Sequence, residues 1–158
     1  MPHTVYINGE FLPESEAKVS IMDRGYLFSD GVYEVSAVID GRMVDNDEHL
    51  RRLKRSLGEL DLRSPVAVDE IKEIQNELIK RNNLQEGIIY LQITRGVAER
   101  DFLWPEDTSP TLIMFTQKKN LLNSPQAIKG ISIITVPDIR WQRRDIKSIA
   151  LIAPAMAK

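Results

Sequence analysis

The chain has 158 residues, 42% hydrophobic and 28% charged, a composition typical of a globular protein with one sizeable core. Its formal net charge is −2 and it contains no cysteine, which disfavours nucleic acid or an anionic membrane as the main partner and excludes disulfides and thiolate sites. Since no signal peptide opens the sequence and no apolar run approaches the roughly 20 residues of a membrane span, we expect a cytoplasmic protein.

The first third of the chain reads as strands joined by tight turns. Thr4–Asn8 is followed at once by a glycine, and Asn-Gly is the strongest short hairpin signal. Lys18–Met22 is a short strand candidate. Val32–Ile39 is rich in β-branched and aromatic residues and ends at Asp40-Gly41, which predicts a second hairpin.

Two amphipathic helices follow. From Asp47 to Leu60, leucines recur at steps of three and four residues, and Asn46 or Asp47 is placed to cap the helix. The second helix is predicted over Val68–Asn82, with acidic residues in its first turn and basic residues in its last, as the helix dipole favours. Its inward side chains are predicted to be Ile71, Ile74, Leu78 and Ile79.

The remaining apolar runs predict strands at Ile88–Thr94, Thr111–Thr116 and Gly130–Val136. Strands, then two helices, then strands again indicate an α+β fold, a two-layer arrangement in which the helices cover one face of the sheet.

The stretch 118–129 has the composition of a linker, so we divide the chain into a domain over 1–117, this linker, and the start of a second domain over 130–158. The apolar end, Ser148–Lys158, is either an element docked on the core or part of a fold that continues.

Three clusters combine residues capable of chemistry. Asp23–Glu34 mixes charged and aromatic residues with glycines, Thr94–Asp101 places arginines after a buried strand, and Arg140–Ser148 is basic and borders an apolar run. For each cluster the simplest interpretation is a solvated surface loop. Lys147 is the exception of interest, because a lysine at an apolar edge is suited to attack a carbonyl group. His3 and His49 have no metal-ligand spacing, and we expect no metal.

Taken in order, four segments resemble fold-type IV pyridoxal-phosphate aminotransferases. They are DRGYLFSDGVYEV (Asp23–Val35), EHLRRL (Glu48–Leu53), YLQITRGVAERD (Tyr90–Asp101) and DIRWQRRDIKS (Asp138–Ser148). Four motifs in the family's order and spacing are far more specific than any one of them. The first is closer to the D-amino acid (D-alanine) aminotransferase branch than to the branched-chain or aminodeoxychorismate-lyase branches.

The resemblance implies pyridoxal 5'-phosphate as the cofactor and assigns a role to each matching residue. Lys147 would bind the cofactor covalently and move the proton at the substrate α-carbon. Arg52 would bind the cofactor phosphate, and Tyr33 would lie near both the cofactor and the substrate carboxylate. Val35, two residues along the same strand, would line the substrate pocket. Arg100 would help to bind the substrate α-carboxylate.

Two departures from the family pattern affect what is expected. Phe102 stands where the best-known D-amino acid enzymes have a histidine, so one hydrogen-bond donor to the carboxylate is missing. The family's chains also continue well beyond the lysine and there supply the carboxylate that pairs with the pyridine nitrogen. We therefore expect this chain to be an N-terminal fragment with little turnover of its own.

The predicted function is amino-group transfer between a D-amino acid, such as D-alanine, and a 2-oxo acid, in a homodimer without nucleic-acid or membrane partners. One alternative is a branched-chain or other fold-type IV transaminase or lyase. The other is a non-catalytic, truncated dimerising domain.

Overall fold

A computed structural model describes residues 3–158 and contains one six-stranded sheet. The strands are β1 (Thr4–Ile7), β2 (Glu10–Pro13), β3 (Gly31–Ile39), β4 (Arg42–Met43), β5 (Glu86–Thr94) and β6 (Thr111–Lys118). They lie in the order β2-β1-β6-β5-β3-β4, and every neighbouring pair is antiparallel. Both predicted hairpins are present, with Asn8 and Asp40 at positive φ in their turns.

The helices are α1 (Arg24–Phe28), α2 (Asn46–Glu59), α3 (Val68–Arg81), α4 (Pro125–Lys129) and α5 (Ile152–Met156), and Glu14–Glu16 forms a single 3-10 turn. The leucine stripe of α2 and the isoleucine-rich face of α3 pack with the inner sheet residues in one core. The α+β fold and the two long helices predicted from the sequence are confirmed, to within two residues at each helix end.

Side chains on β3 alternate between the two faces of the sheet, as strand geometry requires. Val32, Glu34 and the two even-numbered residues after them are buried on the helix-covered face. Tyr33 and Val35 point to the opposite face and are half-buried. We call this second face, formed by the odd-numbered residues of β3 and their neighbours on β5 and β6, the open face.

Two strand predictions are wrong. Lys18–Met22 is irregular and ends in a turn, because its residues find no partner strand and most stay exposed. Gly130–Val136 has no regular secondary structure, and three of its isoleucines are between 71% and 84% exposed. A β-rich sequence becomes a strand only where it pairs with a neighbouring strand, and in the described part of the chain this segment pairs with none.

The cap of α2 also differs from its prediction. Asp45 precedes the helix at positive φ, and no side chain caps it. Asn46 instead accepts a hydrogen bond from Ser36 and donates one to Gln75, and all three are buried. The need to satisfy buried polar groups outweighs the capping preference here.

The segment after β6 is largely exposed. It contains the short helices α4 and α5, and the division into domains stays a prediction. Within residues 3–158 no helix is long and apolar enough to cross a membrane.

Candidate functional site

Lys147 is fixed by its backbone to the beginning of β3. Ser148 forms an isolated antiparallel bridge with Val32, the Tyr33 N–H donates to the Lys147 carbonyl at 3.1 Å, and the Ile149 N–H donates to the Gly31 carbonyl at 3.2 Å. The preceding side chain, Ile146, is buried in the core. A lysine that borders an otherwise exposed segment is therefore attached to β3, a nine-residue strand of the sheet.

The Lys147 amine lies on the open face. Its Nζ atom is 4.0 Å from the centroid of the Tyr33 ring, and both residues line a shallow cleft of about 270 Å³ together with Trp141 and Ile146. Within residues 3–158, no carboxylate forms an ion pair with this amine. The cleft thus presents a primary amine against an aromatic surface, which suits covalent attachment of a carbonyl compound.

A row of aromatic rings continues from Tyr33 across the open face. Tyr33 stacks on Tyr90 with ring centroids 5.7 Å apart, and Tyr90 stacks on Phe115 at 4.8 Å. Val35 is the direct cross-strand neighbour of Tyr90, so it lies beside this row. The Tyr90 hydroxyl donates to Gln92 at 2.8 Å, and burial raises the pKa of Tyr90 to about 12. The row supports the ring on which the Lys147 amine rests.

Arg52 projects from α2 and meets a buried carboxylate. Its Nε and Nη2 atoms donate to the two oxygens of Glu34 at 2.7 and 2.5 Å, and the His49 ring contacts the same carboxylate at 2.8 Å. Glu34 is only 1% exposed, while the Arg52 side chain is 43% exposed. The hydrogen bonds that Arg52 donates to Glu34 raise the pKa of Arg52 against the effect of partial burial, and the charge of Glu34 and the nearby Tyr33 add to the rise.

This pairing leaves one edge of the guanidinium for a ligand. The Arg52 Nη1 atom makes no hydrogen bond within residues 3–158, while Glu34 fixes the other two nitrogens. A planar, permanently charged guanidinium held in this way is suited to an anion such as a phosphate group. Arg52 is not among the residues that line the cleft of Lys147, so the structure presents the amine and the oriented guanidinium as two separate features.

The basic cluster before Lys147 is neutralised by neighbouring acids. Arg140 and Arg144 both pair with Asp138, and Arg143 pairs with Asp145 and with Glu59 on α2. The side-chain hydrogen bond from Arg140 lowers the pKa of Asp138, and that from Arg143 lowers the pKa of Asp145. The cluster thus fastens the segment to α2 and is no free cationic patch.

Arg100 lies apart from these groups, on the loop after β5. Its guanidinium packs over the rings of Phe28 and Phe102, at 5.4 and 5.7 Å from their centroids. Phe102 is 80% exposed and touches Phe28 edge to face. The structure therefore brings Lys147 and Tyr33 into contact and leaves Arg100 on an exposed aromatic patch.

The residues that hold the predicted site residues in place are not among those that the sequence predicts. Glu34 orients Arg52, Tyr90 supports Tyr33, and Ser56 accepts a hydrogen bond from the Lys147 N–H at 3.2 Å. Two features of the sequence point to Glu34 and Ser56. Glu34 occupies an inward position of an alternating strand, and Ser56 interrupts the apolar face of α2.

Residues 31–158 match the family described as amino-transferase class IV. Among curated proteins, the chain is 44% identical over 154 residues to a D-alanine aminotransferase of Staphylococcus haemolyticus, covering 98% of this chain and 55% of that protein. It is 36% identical over 156 residues to a D-alanine aminotransferase of Listeria monocytogenes, covering 98% and 54%. The chain thus spans about half the length of these curated relatives.

Solved structures share the fold. A branched-chain amino acid aminotransferase of Escherichia coli superposes with a TM-score of 0.73 at 22% identity, covering 80% of this chain and 43% of that one. The 4-amino-4-deoxychorismate lyase of Pseudomonas aeruginosa gives a TM-score of 0.60 at 24% identity, covering 77% and 42%. At these identities the likeness supports the fold alone.

Proposed function

Since the chain belongs to the amino-transferase class IV family, we propose that it carries the reactive lysine of a transaminase that moves an amino group between a D-amino acid, such as D-alanine, and a 2-oxo acid. The family indicated by the four ordered motifs is thereby confirmed. Support for the D-amino acid substrate comes from the relatives named D-alanine aminotransferase, of which one is 44% identical. The contact between the Lys147 amine and the Tyr33 ring is the observation that carries the proposal.

The proposed cofactor is pyridoxal 5'-phosphate, and the described residues fit it. Lys147 offers a primary amine at the cleft, and Arg52 offers an anion-binding edge held by Glu34. When bound, the cofactor supplies an aldehyde for covalent attachment and a ring that accepts electrons from the substrate α-carbon.

Lys147, Tyr33 and Val35 each have a definite task in this proposal. Lys147 would bind the cofactor through Nζ and, once that nitrogen is free, would take the proton from the substrate α-carbon and deliver it to the carbon that was the cofactor's aldehyde carbon. Tyr33 presents its ring to the Lys147 amine and so limits the directions from which the amine approaches. Val35 lines the same side, beside Tyr90, and contacts the substrate side chain.

Arg100 is proposed to bind the substrate carboxylate, although it packs on Phe28 and Phe102 in the single chain. Phe102 and the residue after it, Leu103, are both largely exposed beside it. An apolar surface of this kind supports a homodimer, the assembly that the sequence predicts. Cytoplasmic location belongs to the same proposal.

The cofactor assignment is tested by adding pyridoxal 5'-phosphate to the chain and recording its visible absorbance. We expect a shifted band that withstands removal of free cofactor and is lost in Lys147→Ala. Lys129→Ala is the matched control, because this lysine lies at the exposed end of α4. A spectrum identical to that of free cofactor would favour a non-catalytic, dimerising domain.

The substrate assignment is tested with D-alanine and L-leucine as amino donors and 2-oxoglutarate as acceptor. In the protein loaded with cofactor, we expect the half-reaction with D-alanine, followed by the change in the absorbance band, to be the faster one. A faster reaction with L-leucine would replace the proposal with a branched-chain activity.

A further inference from the structure

The hydrogen bonds between the Lys147 segment and β3 depart from the regular antiparallel pattern at one position. Ser148 pairs with Val32, so Tyr33 and Lys147 form the next antiparallel pair. In a regular sheet these two residues would exchange two backbone hydrogen bonds. The Tyr33 N–H does donate to the Lys147 carbonyl, at 3.1 Å. The Lys147 N–H instead donates to the hydroxyl oxygen of Ser56, at 3.2 Å.

Ser56 is placed for this bond by the register of α2. It is completely buried, and it lies between Leu53 and Leu57, which belong to the core. A larger apolar residue would fill this position if packing alone decided it, whereas a serine offers a short hydroxyl to a backbone donor. Since no described buried side-chain polar atom lacks a partner, the hydroxyl is satisfied in this position.

The diverted bond changes the direction of the chain at Lys147. With its N–H held by α2 and its C=O held by β3, the residue sits in a tight turn, and the Ser148 N–H donates back to the Ile146 carbonyl at 2.8 Å. The turn leaves the Lys147 side chain over the Tyr33 ring. The hydroxyl of Ser56 is thus the one side-chain group within residues 3–158 that hydrogen-bonds the backbone of Lys147.

We propose that Ser56 is a positioning residue for Lys147, holding its backbone so that the amine is directed over Tyr33 and into the cleft. The proposal rests on the assignment of Lys147 as the cofactor-binding lysine. Ser56 touches neither the cleft nor a ligand, and it acts only through the backbone of its partner. Its removal should therefore misdirect one lysine and leave the other lysines unaffected.

The test measures which lysine reacts. The chain is incubated with a small excess of pyridoxal 5'-phosphate and treated with borohydride, and peptide mass spectrometry gives the share of label on Lys147 relative to the other lysines. We expect Ser56→Ala to lower this share about tenfold, the scale of one net hydrogen bond. Ser56→Thr, which keeps the hydroxyl, should restore most of it.

Ser36→Ala is the matched control. Ser36 is also buried and also uses its hydroxyl in a buried hydrogen bond, to Asn46. Both alanine variants should lower the midpoint of thermal unfolding, but only Ser56→Ala should change the distribution of label.

Equal distributions of label in the two variants, or an unchanged share on Lys147 in Ser56→Ala, would overturn the positioning role while the proposed function stands. A parent chain without preference for Lys147 would instead overturn the proposed function, and the role of Ser56 with it.

Discussion

The pairing of Glu34 with Arg52 predicts that the effect of Glu34→Gln on the free energy of unfolding depends on whether Arg52 is present. Glu34 is 1% exposed and has Arg52 as its bidentate partner, with His49 as a third group. Arg52→Ala leaves a buried carboxylate with the histidine alone, which should cost about 3 kcal/mol of unfolding free energy, the lower end for a broken buried pair. We choose the lower end because the Arg52 side chain is 43% exposed.

Glu34→Gln keeps the shape of the side chain but replaces one acceptor by an amide donor that faces Arg52. In the parent chain this should cost about 2 kcal/mol, the value of a hydrogen bond to a charged group. In the Arg52→Ala background the same change should cost nothing or should stabilise, because a neutral amide is cheaper to bury than an unpaired carboxylate. The coupling free energy is then about 2 kcal/mol.

Urea unfolding followed by far-ultraviolet circular dichroism measures all four chains, with equal m-values required for the comparison. Glu77 and Arg81, an exposed pair on α3, provide a control cycle in which the coupling should be about 0.3–0.5 kcal/mol. Additive effects of the Glu34 and Arg52 substitutions, within about 0.5 kcal/mol, would refute the view that the buried carboxylate exists to hold the arginine.

Three further predictions concern groups around the site. Asp30→Asn should lower stability by about 3–5 kcal/mol in urea unfolding, because the buried guanidiniums of Arg24 and Arg95 share this carboxylate; a loss below about 1 kcal/mol would contradict the shared pairing. Tyr90 should be the last tyrosine to ionise in an ultraviolet absorbance titration, since burial raises its pKa from 10.0 to about 12. Its contribution to stability should be intact below pH 10.0 and lost between there and about pH 12, and ionisation near pH 10 would contradict its burial. Gly96→Ala should cost about 3 kcal/mol in the same unfolding assay, because φ is +93° and an added Cβ would overlap a backbone carbonyl; Gly58→Ala, in open space on α2, is its control and should not destabilise.

Much of the fold follows from local sequence signals. Asn8-Gly9 and Asp40-Gly41 form the turns that their positive φ angles require, and the leucine spacing of α2 places its apolar stripe in the core. These features depend on residues close together in sequence. Gly130–Val136 has an equally strong local pattern and yet forms no strand, because pairing needs a neighbour that local sequence does not specify.

The candidate site is predictable only in part for the same reason. The motif match supplies Lys147 and Arg52, whereas the hydrogen-bond partners of Glu34 and Ser56 are known only once the sheet and α2 meet. Their roles are long-range hydrogen bonds between buried polar groups, and each depends on which strand face is covered by a helix. Asn46 illustrates the limit, because a residue with good capping chemistry is used in a buried polar network.

The attachment of the Lys147 segment to β3 has a consequence for folding. Ser56 and Lys147 are 91 residues apart in sequence, so their hydrogen bond closes a long loop and should form after the local hairpins and helices. The segment is held by a few backbone bonds at one end of β3, by one buried side chain, Ile146, and by exposed ion pairs with α2, while β3 and β5 pair along their whole length. Its detachment therefore requires far less free energy than unfolding of the sheet, and amide hydrogen exchange at Tyr33 should report this opening as an event separate from global unfolding. Lys147 is thus expected to belong to the part of the molecule that folds last and opens first.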